Sequence, residues 1–132
     1  MLNGNRSAKE PLNIAFARNP ATGELYLAWH DNRFAGDHFH YDIVFTRSID
    51  GGKHWSTSVR VSDVQGTPNF KPWLSCSTGG RLDLIYFSRR LDRANRSQDV
   101  FYQASGDGGR TWTRGSRVTE RSFDPYLVGG VA

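Results

Sequence analysis

Ser48-Ile49-Asp50-Gly51-Gly52-Lys53-His54-Trp55 and Ser105-Gly106-Asp107-Gly108-Gly109-Arg110-Thr111-Trp112 are two copies of one pattern, Ser-x-Asp-x-Gly-x-x-Trp, standing 57 residues apart. The spacing has a local physical reason. A short carboxylate at the head of a tight turn accepts bonds from the turn's own N–H groups, and glycine reaches the left-handed backbone at little cost. The tryptophan then returns to cover the hairpin. Two copies at a fixed offset call for a search of the whole chain at that offset, because a missed repeat corrupts every later assignment.

Shifting the 132-residue chain by 57 positions requires no gap and also matches Pro11 with Pro68, Gly23 with Gly80, Leu25 with Leu82, Leu27 with Leu84, Arg33 with Arg90 and Asp42 with Asp99. Arg60 with Arg117, Val61 with Val118 and Pro68 with Pro125 follow. The total is 14 identities over the 65 positions that pair residues 11–75 with 68–132, where unrelated sequences would give roughly four. The repeat is therefore real.

Each unit carries four short runs that read as strands, 12–17, 24–30, 41–47 and 58–61 in the first and 70–75, 81–88, 99–104 and 116–119 in the second. Thr22-Gly23 and Gly79-Gly80 sit where hairpin turns need positive φ, and Leu25, Leu27 and Trp29 alternate with polar neighbours as a half-buried strand does. Four antiparallel strands per repeat make one propeller blade, so the fold class expected is all-β with two four-stranded blades. The expected organisation is a tail at 1–10, one blade-like repeat at 11–67, a second at 68–124, and the first strand of an incomplete third repeat at 125–132.

Both turns fit the Asp-box, and each precedes a valine-bearing outer strand. On these residues the chain resembles the Asp-box (BNR) repeat β-propellers, the repeat family found in sialidases, from about residue 11 to residue 132. In that family the Asp-box turns lie on the face opposite the substrate site. The resemblance thus implies a structural role for Ser48, Asp50, Gly52, Trp55, Ser105, Asp107, Gly109 and Trp112, with Asp50 and Asp107 capping turns. It carries over no catalytic residue. Sialidases hold the sialic acid carboxylate with three arginines from different blades, beside a tyrosine nucleophile, its glutamate partner and an acid aspartate. Here Ala17-Arg18-Asn19-Pro20 lacks the isoleucine of the family's Arg-Ile-Pro motif.

By the same resemblance, a ligand would meet the loops that join second to third strands and each fourth strand to the next blade. The first such loop runs from His30 to His40 and holds three of the four histidines with Asp31 and Asp37. Imidazole and carboxylate together raise a metal site, but the spacing matches no metal signature, and hydrogen-bonded or solvated histidines are the reading kept. The second loop carries Arg89, Arg90, Arg93 and Arg96, able to hold a carboxylate or sulfate through forked N–H pairs. The candidate ligand face is His30, Asp31, Arg33, Asp37, His38, Arg89, Arg90 and Arg93.

Composition narrows the classes. With 17 basic and 13 acidic side chains the excess of +4 is mild, and no DNA- or RNA-reading motif accompanies it, so nucleic acid is not the expected partner. The single cysteine, Cys76, excludes an internal disulfide framework and any cysteine-based metal cluster, and reads as a buried filler. Residues 1–11 hold no apolar run of the signal-peptide kind, and nowhere do 18 apolar residues follow one another, so neither an export nor a membrane segment is expected within the sequence. No metal and no cofactor is expected.

The function expected is a non-catalytic propeller module, glycan-binding or scaffolding, with a glycan or other anionic small ligand. Blades bury their apolar faces against neighbours, so two blades expose sheet faces and favour self-association into a homo-oligomer. Three chains of two blades would supply a six-bladed ring like that of the sialidases, with residues 125–132 taking part in the association, and a dimer joined through edge strands is the simpler competitor. The alternative is a fragment of a sialidase-like glycoside hydrolase.

Overall fold

The computed structural model describes residues 13–36 and 40–125. Among these described residues eight strands form two four-stranded sheets, and there is no helix: β1 (Ala15–Arg18), β2 (Leu25–Asp31), β3 (Asp42–Ser48) and β4 (Val59–Arg60), then β5 (Asn69–Cys76), β6 (Leu82–Ser88), β7 (Asp99–Ser105) and β8 (Ser116–Arg117). Each sheet is an antiparallel meander in chain order, β1-β2-β3-β4 and β5-β6-β7-β8, the form of two propeller blades that do not close into a ring. Leu25, Asp42 and Val59 open their strands 57 residues ahead of Leu82, Asp99 and Ser116, so the repeat in sequence is a repeat in space.

The core lies in the seam between the sheets. From the first sheet come Ala15, Ala17, Tyr26, Ala28, Ile43, Phe45 and Val61; from the second come Leu74, Leu82, Leu84, Tyr86 and Phe101. Alternation explains the selection. In the register Ala15↔Ala28↔Phe45 every second residue of the first sheet turns to the seam, and in Leu84↔Gln103 every second residue of the second sheet meets it. Cys76 is half-buried against this core, and burial pushes its thiol up.

Strand ends differ from the sequence reading at two kinds of place. The outer strands β4 and β8 are two residues long, although the Val61 and Val118 N–H groups still donate to the Ile43 and Val100 carbonyls at 2.8 Å. The inner strand β5 has a bulge between Phe70 and Trp73, where Lys71 takes φ 51° and the buried Pro72 has no N–H to give to the ladder. One inserted residue flips every later side chain to the other face. Leu74 thereby points into the seam, and Trp73 turns outward, 68% exposed.

Candidate functional site

The two Ser-x-Asp-x-Gly-x-x-Trp turns link the third and fourth strands of each sheet, and their bonds are nearly the same. Ser48 Oγ donates to Asp50 Oδ1 at 2.9 Å and accepts from Gly52 N at 2.9 Å, while Asp50 Oδ1 accepts from His54 N at 2.9 Å. In the second turn Ser105 Oγ donates to Asp107 Oδ1 at 2.8 Å and accepts from Gly109 N at 2.9 Å, and Asp107 Oδ1 accepts from Thr111 N at 2.9 Å. The glycines do what only glycine does cheaply, with φ 93° at Gly52 and 90° at Gly109. Trp55 and Trp112 close the turns by donating Nε1–H to the Gly52 and Gly109 carbonyls at 3.1 and 3.0 Å.

These bonds fix the charge of both carboxylates. The backbone and ring of His54 bring Asp50 down to about 2, and the Thr111 hydroxyl and N–H do the same for Asp107. A group held there is ionised at every physiological pH and carries no proton to give.

At the opposite ends of β2 and β6, the loop arginines divide into two kinds. Arg90 is enclosed, its side chain 9% exposed, in a network that crosses the seam. Its NH1 reaches Asp63 Oδ1 at 2.8 Å, its NH2 the Tyr86 hydroxyl at 2.8 Å and its Nε the Ser88 Oγ at 3.0 Å, while its guanidinium lies 4.0 Å from the centre of the Phe101 ring. Burial raises the Asp63 carboxyl, but the Gly115 N–H at 2.7 Å and Arg90 outweigh it and leave it lowered. Burial also pushes the Tyr86 phenol up to about 12, so it stays protonated and donates to Gln103 Oε1 at 2.5 Å. Gln103 Nε2 in turn reaches the Val61 carbonyl of the first sheet at 3.1 Å.

Arg33 is the repeat mate of Arg90 but stands in the open, 48% exposed. It folds back on its own sheet, with Nε 2.8 Å from Asp31 Oδ2 and its guanidinium 5.6 Å from the centre of the Trp29 ring. Burial raises the Asp31 carboxyl, yet the bonds from Trp29 Nε1 and Arg33 prevail and lower it. His30 Nδ1 accepts the Lys71 N–H at 3.2 Å, a bond made possible by the bulge, and its ring meets Tyr41 edge-on. Arg89 lies over Phe70 at 5.2 Å and donates to the Asn95 carbonyl at 3.4 Å. Asp92 organises that loop by accepting the Ala94, Arg96 and Ser97 N–H groups, which leaves Arg93 exposed at its tip. Asp37 and His38 lie outside the described residues, and among those described no three His, Cys, Asp or Glu side chains converge as metal ligands.

The structure thus brings Arg33, Trp29 and Asp31 together on the first loop and sets Arg93 on the second, whereas Arg90 is drawn into the seam. Sequence reasoning missed Asp63, Tyr86 and Gln103. The available signal was the acidic pair Asp63 and Glu120, which falls on the 57-residue offset but escapes a count of identities.

No family model matches the chain, and no curated protein matches it in sequence. Among solved structures the fold is similar to that of the Hadza microbial sialidase Hz136, with a TM-score of 0.62 over 79% of this chain at 15% identity. The fold is sialidase-like. The chain spans 25% of the length of that protein.

Proposed function

We propose that the chain is a non-catalytic Asp-box propeller module, a glycan-binding or scaffold unit that takes a glycan or another small anionic ligand at its loop edge and is completed by self-association. The observation that carries this reading is the commitment of would-be hydrolytic groups to the fold itself. A glycosidase acid needs a carboxyl raised toward neutral pH, and Asp50 and Asp107 are held at about 2. A nucleophilic tyrosine needs an accessible, activated phenol, and Tyr86 is 1% exposed and held at about 12. Arg90 is occupied by Asp63 and Tyr86. What remains at the loop edge is Arg33 beside the Trp29 indole, with Arg93 on the neighbouring loop, a fork and a flat apolar face suited to an acidic sugar.

The test is a paired assay of the full chain: hydrolysis of a fluorogenic sialoside, and retention on immobilised acidic and neutral glycans. We expect no turnover above buffer, and retention of acidic glycans that Arg33→Ala with Arg93→Ala weakens about tenfold. Turnover abolished by Arg90→Ala would overturn the reading. The second reading, a fragment of a sialidase-like glycoside hydrolase, is favoured by the quarter-length match to a sialidase fold. It requires turnover to appear when further blades encoded in the same reading frame are supplied.

A further inference from the structure

We infer that copies of this chain associate head to tail, the open face of the second sheet docking on the open face of the first sheet of the next copy. The inference rests on the reading of the chain as a blade module completed by self-association, and it names the faces and their polarity. Its template is the seam inside the chain.

At that seam Phe45 of the first sheet fills a notch in the second. A Cβ built on Gly109 would lie 2.2 Å from Phe45 Cε1, and the Phe45 ring meets Trp112 edge-on with centroids 5.3 Å apart. Leu82 and Leu84 are fully buried beneath, and Asp63 latches Arg90 at 2.8 Å. Each part has a mate 57 residues away. Gly52 and Trp55 are the mates of Gly109 and Trp112, Leu25 and Leu27 of Leu82 and Leu84, and Arg33 of Arg90; these belong to the notch side. Tyr102 is the mate of Phe45 and Glu120 of Asp63; these belong to the knob side. Glycine matches glycine, tryptophan tryptophan, leucine leucine, aromatic aromatic, acid acid and arginine arginine.

The mates face outward. Around a Cβ built on Gly52 the nearest atoms among the described residues belong to its own sheet, Leu25 at 3.7 Å and Trp55 at 3.8 Å, so no described residue of the second sheet fills that notch as Phe45 fills the other. Trp55 is exposed, Leu25 and Leu27 are half-buried where Leu82 and Leu84 are buried, and Glu120 is exposed. On the second sheet the register places Tyr102, Ile85 and Val118 on the face away from Leu84 and Gln103, and there Trp73, Ile85 and Val118 are exposed. On the first sheet Phe16 alternates with the buried Ala15 and Ala17 and is exposed on the face away from the seam. Exposed apolar residues gathered on a sheet face mark an interaction surface.

The two open faces are unlike. A contact between like faces would set notch against notch or knob against knob, whereas a heterologous contact sets the knob of one copy in the notch of the next. A second copy already carries both halves of the pattern, and that commits the surface to it.

Sedimentation velocity across about 1 μM to about 1 mM tests this, with variants that each blunt one exposed face. Phe16→Glu spoils the first sheet's face, and Ile85→Glu with Val118→Glu spoils the second's. We expect the wild-type mass to rise with concentration, each variant alone to stay monomeric, and their equimolar mixture to form a 1:1 dimer that grows no further, since each partner keeps one intact face. Charge reversal gives an independent pair at the residue that the free chain offers to an acidic glycan, so that glycan and next copy compete for Arg33: Arg33→Glu and Glu120→Arg each weaken association, and mixing the two restores it at least tenfold. A wild type that is monomeric throughout, or a blunted variant that self-associates alone, overturns the head-to-tail contact. If that monomer still retains acidic glycans without turnover, the binding reading survives and only the contact is lost.

Discussion

The Gly52 N–H reaches Ser48 Oγ at 2.9 Å and the Gly109 N–H reaches Ser105 Oγ at 2.9 Å, yet among the described residues one glycine meets only its own sheet and the other carries the ring of Phe45. The two turns share a sequence pattern, the positive φ of their glycines and the bonds of serine and aspartate to the turn's own N–H groups. They differ in what lies against them. The same holds for Arg33 and Arg90, identical residues at identical repeat positions, one hairpinned on to Asp31 at the surface and the other locked across the seam by Asp63. Local pattern therefore sets the shape of each part, and the neighbouring sheet sets its energetic weight.

The largest expected contrast is between Gly109→Ala and Gly52→Ala. Both substitutions place a side chain at φ near 90°, which costs about 1 kcal/mol in each turn. Only at Gly109 must the added methyl displace Phe45 from Trp112, an overpacking cost of about 2 kcal/mol or more on top. Urea midpoints with unchanged slopes should place Gly109→Ala about 3 kcal/mol below wild type and Gly52→Ala about 1 kcal/mol below, when measured on dilute, unassociated protein. Equal losses would mean that the seam does not distinguish the two turns.

A smaller contrast separates the arginines. Arg90→Met leaves Asp63 facing Tyr86 without its cation, and breaking a buried pair costs about 3 kcal/mol or more; Asp63 keeps partial solvent access, which reduces the expected loss to about 2 kcal/mol. Arg33→Met removes an exposed pair and should stay within about 0.5 kcal/mol. The same denaturation series measures both. A large loss at Arg33 would show that the first loop bears a load that its exposure conceals.

Much of this was legible beforehand, for a physical reason. The eight strands follow from period-two alternation and from a repeat that imposes the same alternation twice, so Leu25 predicts Leu82 and Asp42 predicts Asp99. The bulge at Lys71 was not legible, because the departure from the repeat arises where Ile14-Ala15 is replaced by Lys71-Pro72, and a register shift leaves no mark in a gapless alignment. Nor was the fate of Arg90 legible. A loop rich in arginine reads as a ligand face when its partners are unseen, and Asp63 sits on the preceding repeat, 27 residues upstream. The expectations for Asp37, His38 and residues 126–132 concern positions outside the described residues.

The smallest expected effect is also the one in which the two copies should agree, and it sharpens the comparison by isolating what is local. Asp50 and Asp107 titrate at about 2 in the folded chain against an ordinary value of 3.8, because each accepts bonds from its own turn. A folded value below the unfolded one means that the carboxylate contributes stability above about pH 4, and that this contribution disappears as pH falls through the folded value near 2. Stability should therefore decline over that window, and Asp50→Asn and Asp107→Asn should each flatten the decline. An asparagine side chain can still accept the His54 or Thr111 N–H, so both variants should remain folded at neutral pH with a modestly lower melting temperature. The bonds that lower each carboxylate come from within the turn, from Ser48 and His54 in one copy and Ser105 and Thr111 in the other. The neighbouring sheet supplies none of them. Thermal melts from pH 2 to pH 7 should accordingly give the two variants equal flattening, in contrast with the unequal glycines. If Asp107→Asn flattened the profile and Asp50→Asn did not, the seam would be tuning the carboxylates too, and the division between local shape and neighbour-dependent weight would fail at the residue that defines the turn.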